Sequence, residues 1–215
     1  GPTLILEAHG TNWIAPGWQG EVLRGGSLLL TRVKPRMHAG ADSISANPVQ
    51  LEIFQSRFMS VAEQMGAVLE NTASSVNIKE RLDFSCAVFD PSGGLVANAP
   101  HIPVQLGAMP ETVTAILHCL GRSLQPGDMV VTNLPEDGGT HLPDVTVVAP
   151  VFDAGGATLQ FLVGSRAHHA DIGGTTPGSM PAHSRTLEEE GVPIPAQLLV
   201  RNGRFREANM RRALG

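Results

Sequence analysis

Five side chains in two short segments carry most of the chemistry this sequence offers. "GGTHLPD" holds His141 and Asp144, and "SRAHHADIGG" holds His168, His169 and Asp171. Imidazole with carboxylate is a ligand set suited to Zn, Fe or Mn. Two histidines and one carboxylate leave coordination positions open to water or substrate, as a catalytic metal site requires. Adjacent residues on a strand point to opposite faces, so only one of His168 and His169 can enter such a site. The other then supports it from behind or packs elsewhere. The competing reading is a solvated polar rim with no ion.

What would bring the two segments together is a hairpin. "DVTVVAPVF" and "LQFLVGSRAHHADI" flank the turn "DAGG". Runs rich in Val, Leu and Phe around a Gly-containing turn read as paired antiparallel strands. If they pair across Asp153 to Gly156, His141 and Asp144 enter at the same end at which His168, His169 and Asp171 leave. Two further candidates lie nearby in sequence. Gly138 and Gly139 of "DGGTH" offer backbone N–H groups to an anion such as a phosphate, although a two-glycine loop is more often a turn. His101 sits between prolines in "NAPHIPVQLGAM", a stretch too constrained for a helix on this reading and therefore a rigid loop.

The remaining elements follow from periodicity. Asn47-Pro48 is a helix-start signal, and Leu51, Phe54, Phe58, Val61, Met65, Val68 and Leu69 recur at helical spacing. This predicts an amphipathic helix over about 48–71 with its Met and Phe stripe in the core. A second, shorter helix is predicted over about 110–120, with Val113, Ile116, Leu117 and Leu120 inward and His118 and Cys119 as bland positions near its end. "RLDFSCAVFD-PSGG-LVANA" reads as strand, turn, strand; Cys86 alternates with Phe84 and Val88 and is a small buried hydrophobe on this pattern. "DMVVTNL" is a strand, and a short helix closes the sequence. Residues 1–34 read as a small β segment and 35–46 as a linker. The fold class is α+β, with antiparallel hairpins, one long helix and one shorter helix.

Composition limits the partners. The chain has 215 residues, 42% of them hydrophobic and 16% charged, with a net charge of −5. That supports a sizeable core and argues against nucleic acid as a partner. No apolar run is long enough to span a bilayer and no signal-peptide layout is visible, so no membrane partner and a cytoplasmic location are expected. Two cysteines make no disulfide framework.

At these residues the sequence resembles the hydantoinase B/5-oxoprolinase family. "NIKERLDFSCAVFDPSGGLVANAPHIPV", "LGAM", "PGDMVVTN", "GGTHLPDVTVVAPVF" and "SRAHHADIGGTTPGSMP" follow in order through 47–215, and the 5-oxoprolinase branch is the most similar. "GPTLILEAHGTNWIAPGWQGEVLRGGSLLL" is similar to the closing β segment of a hydantoinase A half. The resemblance therefore implies a fragment spanning the end of an A half and the start of a B half. It implies ATP-dependent opening of 5-oxo-L-proline to L-glutamate. ATP, with Mg, would be held mainly by the A half, and the ring-opening half would handle the activated intermediate. A divalent metal (Mn, Fe or Zn) is implied on His141, Asp144 and His168 or His169, with Asp171 or His101 moving a proton. Implied partners are the small-molecule substrate, the rest of the A and B regions, and further copies in a homo-oligomer; the fragment alone is expected to be inactive. The family usually reads "HIPVHLG" where this chain has "HIPVQLG", so Gln105 stands where a histidine is common and cannot serve as a general base. Two other readings stay open: a hydantoinase or ketone carboxylase relative, and a non-catalytic docking or dimerisation module.

Overall fold

A computed structural model describes residues 2–7, 9–34 and 47–214; the predicted linker at 35–46 lies outside the described residues. The chain divides into two compact units, Gly1–Asn47 and Pro48–Gly215. The first holds two antiparallel hairpins, β1 (Thr3–Leu6) with β2 (Thr11–Ile14) and β3 (Trp18–Val22) with β4 (Leu28–Arg32). All four strands lie within residues 1–34, where a small β segment is expected.

The second unit is built on a seven-stranded antiparallel sheet in the order β11-β10-β7-β8-β9-β5-β6. Its strands are β5 (Phe84–Phe89), β6 (Leu95–Asn98), β7 (Met129–Thr132), β8 (Asp144–Phe152), β9 (Leu159–His168), β10 (Gln197–Arg201) and β11 (Arg204–Phe205). The predicted β8–β9 hairpin forms. Asp153 closes its turn, accepting the N–H groups of Ala157 and Thr158 on Oδ1 at 2.9 and 3.2 Å. Strands β10 and β11, at one end of the sheet, carry no period-two alternation of burial, so the residue pattern does not signal them.

Helices α1 (Pro48–Thr72) and α3 (Pro103–Leu120) lie against this sheet, with α2 (Val76–Lys79), α4 (Leu187–Glu190) and α5 (Glu207–Leu214) as shorter pieces. On one face, Met109, Val113 and Ile116 of α3 pack on Ala87, Phe89, Val130, Val148 and Leu162. On the other face, Met65 and Leu69 of α1 and Ile78 of α2 pack on Phe84, Cys86 and Ala167. The alternation of β5 is thereby divided between two cores, as a central strand requires.

Two expectations about the helices are corrected. The shorter helix begins at Pro103, not near 110, and Pro110 lies inside it. Proline at the first helical position costs no hydrogen bond, so Pro103 starts the helix; one interior proline is carried because packing of α3 on the sheet outweighs the single lost bond. The stripe of α1 is mostly not core: Leu51, Phe54, Val61 and Val68 are exposed, and the buried positions are Ala62 and Gly66. Close approach decides this. A Cβ at Gly66 would lie 2.9 Å from His101 Cε1 and 3.1 Å from Phe84 Cε2, so the helix meets the sheet through its smallest side chains.

Candidate metal centre on the central hairpin

Strand pairing places Asp144 of β8 directly opposite His168 of β9. The choice between His168 and His169 is made by one irregularity. From Asp144↔His168 to Val151↔Phe161 the register is regular, but Phe152 pairs with Leu159, so one extra residue is absorbed next to the turn. A hairpin continued without that bulge would put Ala167 opposite Asp144. His169, not His168, would then share the face of Asp144, because a one-residue slip exchanges the two faces of a strand.

His141, Asp144 and His168 form a group whose possible ligand atoms all lie within 4.8 Å of one another. Asp144 is 2% exposed and His168 7%. His168 Nδ1 is 3.2 Å from Asp144 Oδ1, and His141 Nδ1 is 3.4 Å from Asp144 Oδ2. The two imidazole rings lie 4.9 Å apart at 33°. Thr140 Oγ1 donates to Asp144 Oδ2, and Ser179, from the loop after β9, holds His168 Nε2 at 3.2 Å. Burial pushes the Asp144 carboxyl up; hydrogen bonds from His141 and Thr140 and the nearby imidazoles outweigh it and hold the group below its ordinary range. The donor set therefore fits a divalent cation. It comprises an anionic carboxylate and two imidazoles, each with Nδ1 turned toward it, in a half-closed site that leaves further coordination positions.

The other predicted residues stand apart from this group. His169 is on the opposite face of the sheet, lining a cavity of about 640 Å³ with Val145, Val147, Ser165 and Ala167. Burial, and then the charge of His168, lower its pKa against the opposing pull of Asp144. His101 is on the α1 side: its Nδ1 accepts the Cys86 N–H at 3.0 Å, and its ring packs edge-on against Phe84 with centroids 4.9 Å apart. Asp171 is exposed and its Oδ1 accepts the Gly173 N–H at 2.8 Å. Gly138 and Gly139 are not an anion cradle. Their N–H groups bond to Pro135 and Leu134 carbonyls at 3.1 and 2.9 Å, closing the turn (Pro135–Asp137) that delivers His141. Gly138 has φ +79°, and a Cβ there would lie 2.5 Å from the backbone nitrogen of Thr112.

The sequence reading missed Arg166. It is fully buried, two residues before His168 on the same face. Its Nε donates to Thr146 Oγ1 at 2.7 Å, NH1 to the Gln105 carbonyl at 3.2 Å, and NH2 to Thr112 Oγ1 at 2.7 Å and to the Gly138 carbonyl at 3.3 Å. One guanidinium thus joins β8, α3 and the turn before His141. Burial lowers its pKa to about 10, with Asp144 opposing. Arginine in an alternating strand is ordinarily read as an outward residue, so only the position on the α3 side could have flagged it. Cys86 is buried and its thiol is pushed up to about 12 by burial, against a hydrogen bond with Ser165, as a structural cysteine should be.

The domain is α+β, an antiparallel sheet whose central hairpin gathers Asp144 and His168, both buried, with the half-buried His141. Residues 47–214 match the hydantoinase B/oxoprolinase family, and the chain belongs to that family. It is 50% identical over 209 residues to 5-oxoprolinase 1 of Arabidopsis thaliana and 46% identical over 209 residues to 5-oxoprolinase of Saccharomyces cerevisiae. Each match covers 96% of this chain and 16% of the relative, so the chain spans about one sixth of the length of these relatives. Among solved structures, the ATP-dependent caprolactamase of Pseudomonas jessenii superposes with a TM-score of 0.70 at 26% identity, covering 79% of this chain and 29% of that one. No helix among the described residues is long and apolar enough to cross a membrane.

Proposed function

We propose that this chain is the part of an ATP-dependent 5-oxoprolinase that carries the metal-type site of its ring-opening half, on His141, Asp144 and His168. The observation that carries the reading is the triad itself, Asp144 and His168 buried and His141 half-buried, with three potential ligand atoms within 4.8 Å of one another. Relatives named 5-oxoprolinase, similar along almost the whole chain, favour that substrate over hydantoins or ketones. Residues 1–34 are the closing β segment of an A-like half, and 47–215 begin a B-like domain. ATP is held mainly by the regions of the longer protein outside this chain, which are its first partners, in a cytoplasmic homo-oligomer.

His141, Asp144 and His168 would hold a divalent cation (Mn, Fe or Zn), which when bound would supply Lewis acidity toward a carbonyl or phosphorylated oxygen. The chain's own residues do the rest. Asp144 presents a negative charge kept ionised against burial. Ser179 orients the His168 ring through Nε2, and Thr140 fixes the carboxylate plane.

The test has two arms. Elemental analysis of chelator-free chain is expected to give near-stoichiometric metal, lost in His141→Ala and kept in His169→Ala. In the full-length protein, Asp144→Ala is expected to abolish ATP-dependent glutamate release. Full activity in Asp144→Ala would leave a docking role for this segment and refute the catalytic one. The 215-residue chain by itself is expected to turn over no 5-oxoproline.

A further inference from the structure

Gln105 is 1% exposed on the first turn of α3, and its amide has three side-chain partners, one of them Asp144 of the metal-type group. Its Oε1 accepts the Ser85 hydroxyl at 2.8 Å. Its Nε2 donates to Asp83 Oδ1 at 3.1 Å and to Asp144 Oδ1 at 3.3 Å. The orientation of the amide follows from these partners, since only the NH₂ end can face two carboxylates. The backbone on both sides is also held. The Gln105 carbonyl accepts Arg166 NH1 at 3.2 Å, and the Asp83 carbonyl accepts the His168 N–H at 3.0 Å. Leu82, just before Asp83, has φ +54°, and the Phe84 N–H closes a tight turn on its carbonyl at 2.9 Å. A bulky residue in the left-handed region is held only where its surroundings over-determine it.

We infer that Gln105 is a positioning residue for Asp144: its amide bridges Asp83 and Asp144 and sets the angle at which the Asp144 carboxylate meets His141 and His168. The inference rests on the reading of those three residues as metal ligands. Besides the two imidazoles, Oδ2 of Asp144 is held by Thr140 from the loop before β8 and Oδ1 by Gln105 from the helix side, so each carboxylate oxygen has one further donor that sets its plane. An amide suits this place for a countable reason. It has two N–H donors for two carboxylates and an acceptor for Ser85, whereas a neutral imidazole has one donor and one acceptor. A neutral histidine at 105 could hold Asp144 or Asp83, not both, and a protonated one could hold both only by losing the acceptor for Ser85. A hydrocarbon of the same size could hold neither.

The probe is Mn²⁺ alone, titrated by calorimetry into the chelator-free chain well below its melting temperature. Hydrogen-bond partners of metal ligands are typically worth about 10- to 100-fold in metal affinity. Gln105→Leu is therefore expected to weaken Mn²⁺ by at least tenfold, and Gln105→His by less, because one donor is restored. Ser85→Ala, which frees Oε1 and lets the amide turn, is expected to lose roughly threefold to tenfold. It removes a single hydroxyl and decides the matter if Gln105→Leu does not fold. A merely structural Gln105 would lower the melting temperature of the metal-free chain and leave the affinity unmoved. Folded Gln105→Leu or Ser85→Ala chains binding Mn²⁺ as tightly as wild type would overturn the inference and leave the metal reading standing. No Mn²⁺ binding by wild type would overturn both.

Discussion

Removing the buried guanidinium of Arg166 should be the most damaging conservative change in this domain. In Arg166→Met, four acceptors lose their donor: the hydroxyls of Thr146 and Thr112 at 2.7 Å and the carbonyls of Gln105 and Gly138 at 3.2 and 3.3 Å. The two short bonds are charge-assisted and contribute about 1.5–3 kcal/mol each. The Gln105 carbonyl is inside a helix and keeps an alternative donor; the Gly138 contact is long. Relief from burying a cation offsets part of the loss. The net cost is about 3 kcal/mol, roughly a 150-fold fall in the folding constant. Arg166→Lys keeps the charge but cannot span the three elements, and should cost about 2 kcal/mol. Urea unfolding followed by far-UV circular dichroism reads both. A shift below about 0.5 kcal/mol for Arg166→Met would refute the view that this side chain ties α3 and the turn before His141 to the hairpin.

Three further outcomes follow from single contacts. His101 is kept neutral by burial, opposed by Glu63, so its pKa lies below 6.5. Its contribution to stability is then complete above 6.5 and lost as pH falls from there toward the lowered value, because the unfolded chain binds the proton first. His101→Gln should flatten the slope of unfolding free energy against pH below 6.5, and an unchanged slope would show that the ring is not buried neutral. Gly138→Ala forces a Cβ to 2.5 Å from Glu111 and Thr112 at φ +79°, and should cost about 2 kcal/mol or more, whereas Gly155→Ala, whose Cβ meets only Asp153 Oδ1 at 3.7 Å, should be near neutral in the same urea titration. Cys119 is exposed and Cys86 buried with its pKa raised to about 12, so a thiol reagent should label one cysteine in the native chain and two only in denaturant; fast labelling of both would contradict the burial of β5.

Much of the architecture is local and was therefore visible in the residues themselves. Apolar runs on either side of the Asp-Ala-Gly-Gly turn specify the β8–β9 hairpin. A hairpin necessarily brings the residues before its first strand to those after its second, which is how His141, Asp144 and the histidine pair could be grouped without coordinates. Asn47-Pro48 and the apolar spacing that follows specify α1 because capping and period are properties of neighbours in sequence. The tertiary structure decided what depends on register and on distant partners. Whether His168 or His169 faces Asp144 turns on one residue absorbed near Phe152, and a slip of one residue leaves the hydrophobic pattern nearly as good while reversing the face. Gln105 reaches Asp144 across 39 residues, and Arg166 finds Thr112 across 54, so their burial has no local signature. The exposed stripe of α1 makes the same point from the other side. Helical period predicts that one face is apolar, but which elements are present to cover it is settled by the rest of the molecule.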